Sequence, residues 1–308
     1  MDLYYAVPQT LVKINRRRRL NLLIRGEGSP TIIFAPGGGA TTLQWARVQH
    51  PISAKTRTVA YDDAAFGFSD PGPLPRTASA FVNDLRAGLK AAEIGPPYIL
   101  VGWSLGGLVM SLFAFRYPED VVGMVMVDKS TEHQDRRCFE ATGDPIFAPT
   151  QRKQFGTRCM SAERLARSGA LKPGTAEYDE FVGPEDPALT PAVNAARVAQ
   201  LTSPGAYRGT RSMMANLMSL SSDEVDAARR SLGDMPLIVL TGGRPHPLLS
   251  EKTGEKFFEV LCTMHDEFAA LSTRGERRTV DAGHGIPIEK PEVVIEAIEE
   301  VLALARSR

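Results

Sequence analysis

The chain is poor in the features that would commit it to several common protein classes. Cysteine occurs three times in 308 residues, at Cys138, Cys159 and Cys262, an odd number at spacings that fit no metal site. Free thiols are expected, with a Cys138 to Cys159 disulfide left open for an exported chain. A surplus of either charge is also missing: Lys plus Arg and Asp plus Glu each number 36, so no net field gathers nucleic acid or an anionic membrane. Apolar runs of membrane-spanning length are absent, and Met1 is not followed by a basic segment and an apolar core. The expectation is a soluble, cytoplasmic chain with no nucleic-acid partner, a secreted mature form being left open. The one charge run, residues 16–19, lies between short apolar runs at 11–14 and 20–24. It reads as the solvated turn of a hairpin rather than as a phosphate-binding patch. No internal repeat or low-complexity segment is present.

What is there is an alternation of apolar runs and helical patterns, the signature of a mostly parallel, doubly wound α/β sheet. Strands are predicted at 31–34, 58–61, 98–101, 122–127, 237–241 and 278–281. Phe81, Val82, Leu85 and Leu89, and later Val294, Ile298, Val301 and Leu302, recur at helical spacing and would cover the sheet. Between about 131 and 232 the strand-like runs vanish and helical segments take over, which reads as an inserted helical lid. The predicted division is a core of residues 1–131 and 233–308 with a lid at 132–232. Thr190 followed by Pro191 looks like a cap and first helical residue. Ser221 and Glu224 have capping-box spacing, with Gly233 placed to stop that helix.

The tract most informative about chemistry is 98–107, reading Y-I-L-V-G-W-S-L-G-G. A buried strand runs directly into Gly102-Trp103-Ser104-Leu105-Gly106, and an apolar helix follows. In that context G-x-S-x-G describes a nucleophile elbow, whose turn is so tight that side chains at Gly102 and Gly106 would strike neighbouring backbone. Without the flanking strand and helix the five-residue string would be weak evidence.

Three further landmarks accompany the elbow: Phe34-Ala35-Pro36-Gly37-Gly38-Gly39 after an early strand, with Trp45 following; the tract 61–70; and Ala282-Gly283-His284-Gly285-Ile286-Pro287 before the last helix. With these the chain resembles the α/β-hydrolase superfamily over nearly all of its length outside the insertion. It departs from the pattern in having Pro36 where His is common and Trp103 before the serine. The resemblance implies an α/β-hydrolase fold and a serine hydrolase. Ser104 stands where the family's dehalogenases and epoxide hydrolases carry a carboxylate.

A serine hydroxyl needs a general base. Of the five histidines, His284, after a strand and between glycines, is the expected base. His265 lies on a helical pattern with Phe257, Phe258, Leu261 and Phe268, where a structural role is expected. His50, His133 and His246 fall at loops, the last two near strand ends within reach of substrate, although loop histidines are more often merely solvated. The base needs a carboxylate. Relatives often carry it after the strand following the lid, but residues 242–250 contain none. Asp128, 24 residues beyond Ser104 at the end of the next strand, is the expected acid, with Glu132 and Glu251 in reserve. The oxyanion would be met by the backbone amides of Leu105 and, by resemblance, Gly38. Trp103, Met214 and Met218 are the candidate pocket residues, Met213, Met214, Leu217 and Met218 being equally readable as lid core. Asp62 and Asp63 shape a loop rather than hold a metal, and neither metal nor cofactor is required. The expected activity is cleavage of an apolar or aromatic carboxylic ester through an acyl-enzyme. Lactone opening, carbon–carbon hydrolysis on the same triad, and a non-catalytic ligand receptor remain as alternatives.

Overall fold

In the computed structural model, which describes residues 3–307, the chain enters through an antiparallel hairpin, β1 (Thr10–Lys13) and β2 (Arg19–Arg25). Its turn carries the arginine run, from which Arg18 reaches Asp84 and Arg19 pairs with Asp70. Five apolar runs then form the middle of the sheet: β3 (Thr31–Ala35), β4 (Thr58–Tyr61), β5 (Tyr98–Trp103), β6 (Val121–Val127) and β7 (Leu237–Gly242). Nearly every residue in them is buried, as strands covered on both faces require. An edge strand, β8 (Gly275–Val280), completes the order β1-β2-β4-β3-β5-β6-β7-β8. Among the described residues only β1 with β2 and β2 with β4 pair antiparallel. All six predicted strands are present.

Helices cover both faces. On one lie α1 (Ala46–Ile52) and the last helix (Pro291–Arg306), in a cluster that includes Phe34, Trp45, Val48, Ile298 and Val301. The other face carries α2 (Ala78–Ala91) and α3 (Leu105–Arg116), with Phe81, Leu85, Leu108 and Phe113 buried among them. From β6 to β7 the chain forms only helices: α4 (Gln134–Thr142), α5 (Pro149–Ser168), α6 (Ala176–Phe181), α7 (Pro191–Leu201), α8 (Pro204–Leu217) and α9 (Leu220–Ala228), besides one short 3-10 turn. After β7 come α10 (Glu251–Ala269), α11 (Ile286–Glu289) and α12 (Pro291–Arg306). Among the described residues no helix is long and apolar enough to cross a membrane.

The helical segment packs on the core. Val225 and Leu217 are buried in the cluster built by α2 and α3, and α4 packs on α10. The ends of the expected core, residues 1–2 and 308, lie outside the described residues.

Two local expectations differ in outcome. Thr190 caps α7, its hydroxyl accepting from the Val193 amide at 3.4 Å. Ser221 and Glu224 do not cap their own helix: Ser219 precedes α9, which ends at Ala228, short of Gly233. Instead they cap α2 from across the structure. Ser221 Oγ accepts from the Ala78 amide at 3.0 Å, and Glu224 accepts from the Ser79 amide at 2.7 Å and the Thr77 hydroxyl at 2.8 Å. The first amides of α2 have no intrahelical partner, and a carboxylate suits the positive end of a helix.

All three thiols are free, with Cys138 and Cys159 both buried, so the Cys138 to Cys159 disulfide does not form.

Candidate active site

The parallel arrangement brings the ends of β3, β5, β6 and β7 to one edge of the sheet, and the loop after β8 folds back onto it. At that edge β5 passes into α3 through Ser104, whose φ of 53° and ψ of −121° lie outside the usual regions for a residue with a side chain. Such a residue costs about 1–3 kcal/mol and persists only where its surroundings impose it. They do so here: a Cβ on Gly102 would sit 2.6 Å from the Gly106 carbonyl oxygen, and one on Gly106 would sit 2.4 Å from that of Ala35. The Ser104 amide donates to Val127 O and its carbonyl accepts from the Ser130 amide, which ties the turn to the neighbouring strand.

The loop after β3 lies against this turn. Gly37 packs on the Trp103 indole so closely that a Cβ there would overlap the ring, and Gly38 lies beside Leu105, the first residue of α3. An amide at that position has no intrahelical acceptor. Trp103 also donates its indole N–H to the His284 carbonyl at 2.7 Å and holds its ring 5.1 Å from the imidazole. The residue before the serine thus clamps the glycine loop on one side and the histidine loop on the other.

His284 Nδ1 lies 2.6 Å from Asp128 Oδ2. A carboxylate only accepts, so Nδ1 carries the proton and Nε2 is left with its lone pair. The other oxygen of Asp128 accepts from the Gly242 amide at 2.9 Å, while the Asp128 amide donates to Leu240 O at 2.7 Å. Asp128 is almost buried, at 8 % side-chain exposure, whereas His284 is open at 55 %. The reserve carboxylates lie elsewhere: Glu132 pairs with Arg229, and Glu251 opens α10.

The other histidines take different places. His265 is buried between the Thr241 hydroxyl and the Lys129 carbonyl, and burial pushes it down to about 4, so it stays neutral. His133 meets Asp226 and His50 meets Arg25. His246 lies on the loop after β7, edge-on to Phe257. Its protonation is disfavoured first by burial and then by the nearby His284. Asp62 shapes its loop, as expected, accepting from Asn21 and from the amides of Thr42 and Phe68.

Beside the glycine loop opens a cavity of about 450 Å³. Gly38 and Phe66 line it from the core, Phe181, Leu201 and Tyr207 from the helical segment, and Ile288 from α11. Of the three pocket residues expected from the sequence, none lines it. Met214 and Met218 are partly buried against the main core cluster, and Trp103 is engaged with the two loops. It is the neighbouring Met213, one position along α8, that reaches Gly38. The lining contributed by α6, α7 and α8 was missed because a pocket wall drawn from several helices leaves no single periodic trace in the sequence.

Comparison with known proteins agrees with this architecture. Residues 32–297 match the model described as the alpha/beta hydrolase family. An uncharacterized protein of Bacillus subtilis, YqjL, is 26 % identical over 284 residues, covering 91 % of this chain and 87 % of that one. A pimeloyl-[acyl-carrier protein] methyl ester esterase of Shewanella woodyi is 35 % identical over 164 residues, which is 50 % of this chain and 57 % of that one. Among solved structures, a thermophilic esterase from Thermogutta terrifontis superposes with a TM-score of 0.62 at 22 % identity, covering 96 % of this chain and 97 % of that one. A putative epoxide hydrolase from Pseudomonas aeruginosa does so at 0.70 and 19 %, covering 96 % of each.

Proposed function

The chain belongs to the alpha/beta hydrolase family, and we propose that within it the protein is a serine hydrolase that cleaves a carboxylic ester of an apolar or aromatic small molecule through an acyl-enzyme. The observation that carries this reading is the 2.6 Å contact of His284 Nδ1 with an Asp128 carboxylate whose second oxygen is already fixed by Gly242. It orients the free Nε2 as a base, on a loop held to Trp103, the residue before Ser104.

In the proposed mechanism Ser104 Oγ attacks the ester carbonyl as His284 Nε2 takes its proton. The negative oxygen of the tetrahedral intermediate is met by the amides of Leu105 and Gly38, donors whose positions are set before substrate arrives. His284 then passes the proton to the departing alkoxide. Its exposure lets water reach the acyl-enzyme, where the same nitrogen activates that water and Ser104 leaves. Asp128 stays ionised throughout and stabilises the imidazolium.

Helices α5 to α8 would serve as the cap, the cavity beneath them taking the acyl portion. The nucleophile argues against epoxide opening, since Ser104 stands where a carboxylate would be needed. The test is labelling by a fluorophosphonate, read as a mass increase on Ser104 and repeated on Ser104→Ala. Labelling of the native protein alone, with p-nitrophenyl ester turnover lost in both Ser104→Ala and His284→Ala, is the expected result. No labelling, or labelling that survives Ser104→Ala, would sink the proposal and favour a ligand receptor.

A further inference from the structure

One wall of the cavity is polar in a patterned way. Gln44 and Arg47 are three residues apart where a short 3-10 turn (Thr42–Trp45) meets α1, and Arg197 and Gln200 are three apart on α7. That spacing places each pair on one side of its helix, and all four residues line the same cavity. Both arginines are held by carbonyl groups rather than carboxylates. Arg197 donates to Val182 O at 2.8 Å and Pro184 O at 2.5 Å, and Arg47 donates to Ile288 O at 3.1 Å. The two bonds of Arg197 fix its guanidinium plane, Arg47 is exposed on its single bond, and neither charge is cancelled by these carbonyls. Within this wall Arg197 Nε and Gln44 Oε1 are buried and have no partner; rotation of the Gln44 amide would present its N–H groups instead. The cavity's one carboxylate, Asp186, is exposed and accepts from the Ala188 amide.

Resting on the serine-hydrolase reading above, and narrowing its apolar substrate to one charged at the far end, we propose that this wall binds a carboxylate on the otherwise apolar acyl portion, remote from the ester carbonyl. The substrate class is then a half-ester of a dicarboxylic acid, or the corresponding carboxylated lactone. A guanidinium presents N–H groups in a plane that matches a carboxylate. A plain alkyl chain would bury the same groups with nothing to pair with them, and a site built to pair a polar group discriminates strongly against an analogue lacking it.

The experiment compares monomethyl adipate with methyl hexanoate, which differ at the far end of the chain. The native protein should show kcat/KM at least tenfold higher for the half-ester, chiefly through KM, with an advantage that shrinks in high salt. In Arg197→Gln the ratio should fall at least tenfold. Because Arg197 also ties down the carbonyls of Val182 and Pro184, Arg47→Gln is the second variant, and it should lower the ratio severalfold. Equal or better turnover of methyl hexanoate by the native protein, or a ratio retained in both variants, overturns the inference while leaving Ser104 labelling intact. If Ser104 is not labelled and neither ester is cleaved, the hydrolase reading falls on its own. Calorimetric titration with the same two esters then decides: preferential binding of monomethyl adipate that is lost in Arg197→Gln supports the wall, and its absence overturns it.

Discussion

Both oxygens of Asp128 are occupied, one by His284 and the other by the Gly242 amide, so its role in the proposed triad is orientation as much as charge. Asp128→Asn keeps the shape but presents an N–H or the weaker amide oxygen to Nδ1, which favours the wrong imidazole tautomer. The expected loss in kcat on an activated ester is about three to four orders of magnitude, and Glu251→Gln should change little. Near-normal turnover in Asp128→Asn would remove it from the triad. A second residue prediction concerns Asp63, buried near Arg76, Asp84 and Asp62. Its carboxyl is pushed up from 3.8 to about 7, first by burial, with Arg76 opposing. The unfolded chain releases this proton near pH 4 while the folded chain holds it until about pH 7. Asp63 therefore costs nothing below pH 4, costs more as the pH rises towards 7, and costs its full amount above, at most about 4 kcal/mol. Asp63→Asn should raise Tm at pH 8 and leave it nearly unchanged at pH 4. A gain equal at both values would show that the proton is not involved.

At the scale of elements, the cap of α2 is supplied by α9, 143 residues distant in the Ser221 to Ala78 bond. Ser221→Ala and Glu224→Gln should each cost about 1 kcal/mol, as loss of a helix cap does, read from urea unfolding monitored by circular dichroism. Their combination should lower stability further without altering the ratio of turnover on long and short esters. If neither change affects unfolding, the contacts are incidental. Capping-box spacing at 221–224 was legible in the sequence, yet the helix it serves was not. A serine and a glutamate three apart mark a side of α9, and only the packing of α9 against α2 shows which amides they meet.

For the whole molecule, the proposed function has the cavity under α5 to α8 select the substrate. Leu201→Phe, which adds bulk to the lining at the end of α7, should reduce kcat/KM on a p-nitrophenyl octanoate at least tenfold more than on the acetate. Met214→Ala with Met218→Ala should instead cost stability. These side chains pack on the core cluster, so the double variant should unfold more easily, by about 1–3 kcal/mol, with chain-length preference unchanged. A shift in preference from the methionine pair, with none from Leu201→Phe, would place the acyl group elsewhere.

The sequence made the sheet legible, because strands buried on both faces are continuous apolar runs, and with it the tight turn at Ser104, which demands glycines at set positions. It also brought Asp128 and His284 into candidacy, since residues at the ends of parallel strands share an edge. Contacts between distant segments settle the rest: that Asp128 rather than Glu132 or Glu251 meets His284, that Trp103 braces two loops instead of facing a pocket, and that Met213 rather than Met214 reaches Gly38. On α8 a step of one residue turns a side chain by about 100°, so Met213 is buried in the core cluster against Gly38 while Met214 is only partly buried there. Composition cannot choose between them, whereas the packing of α8 against the core does.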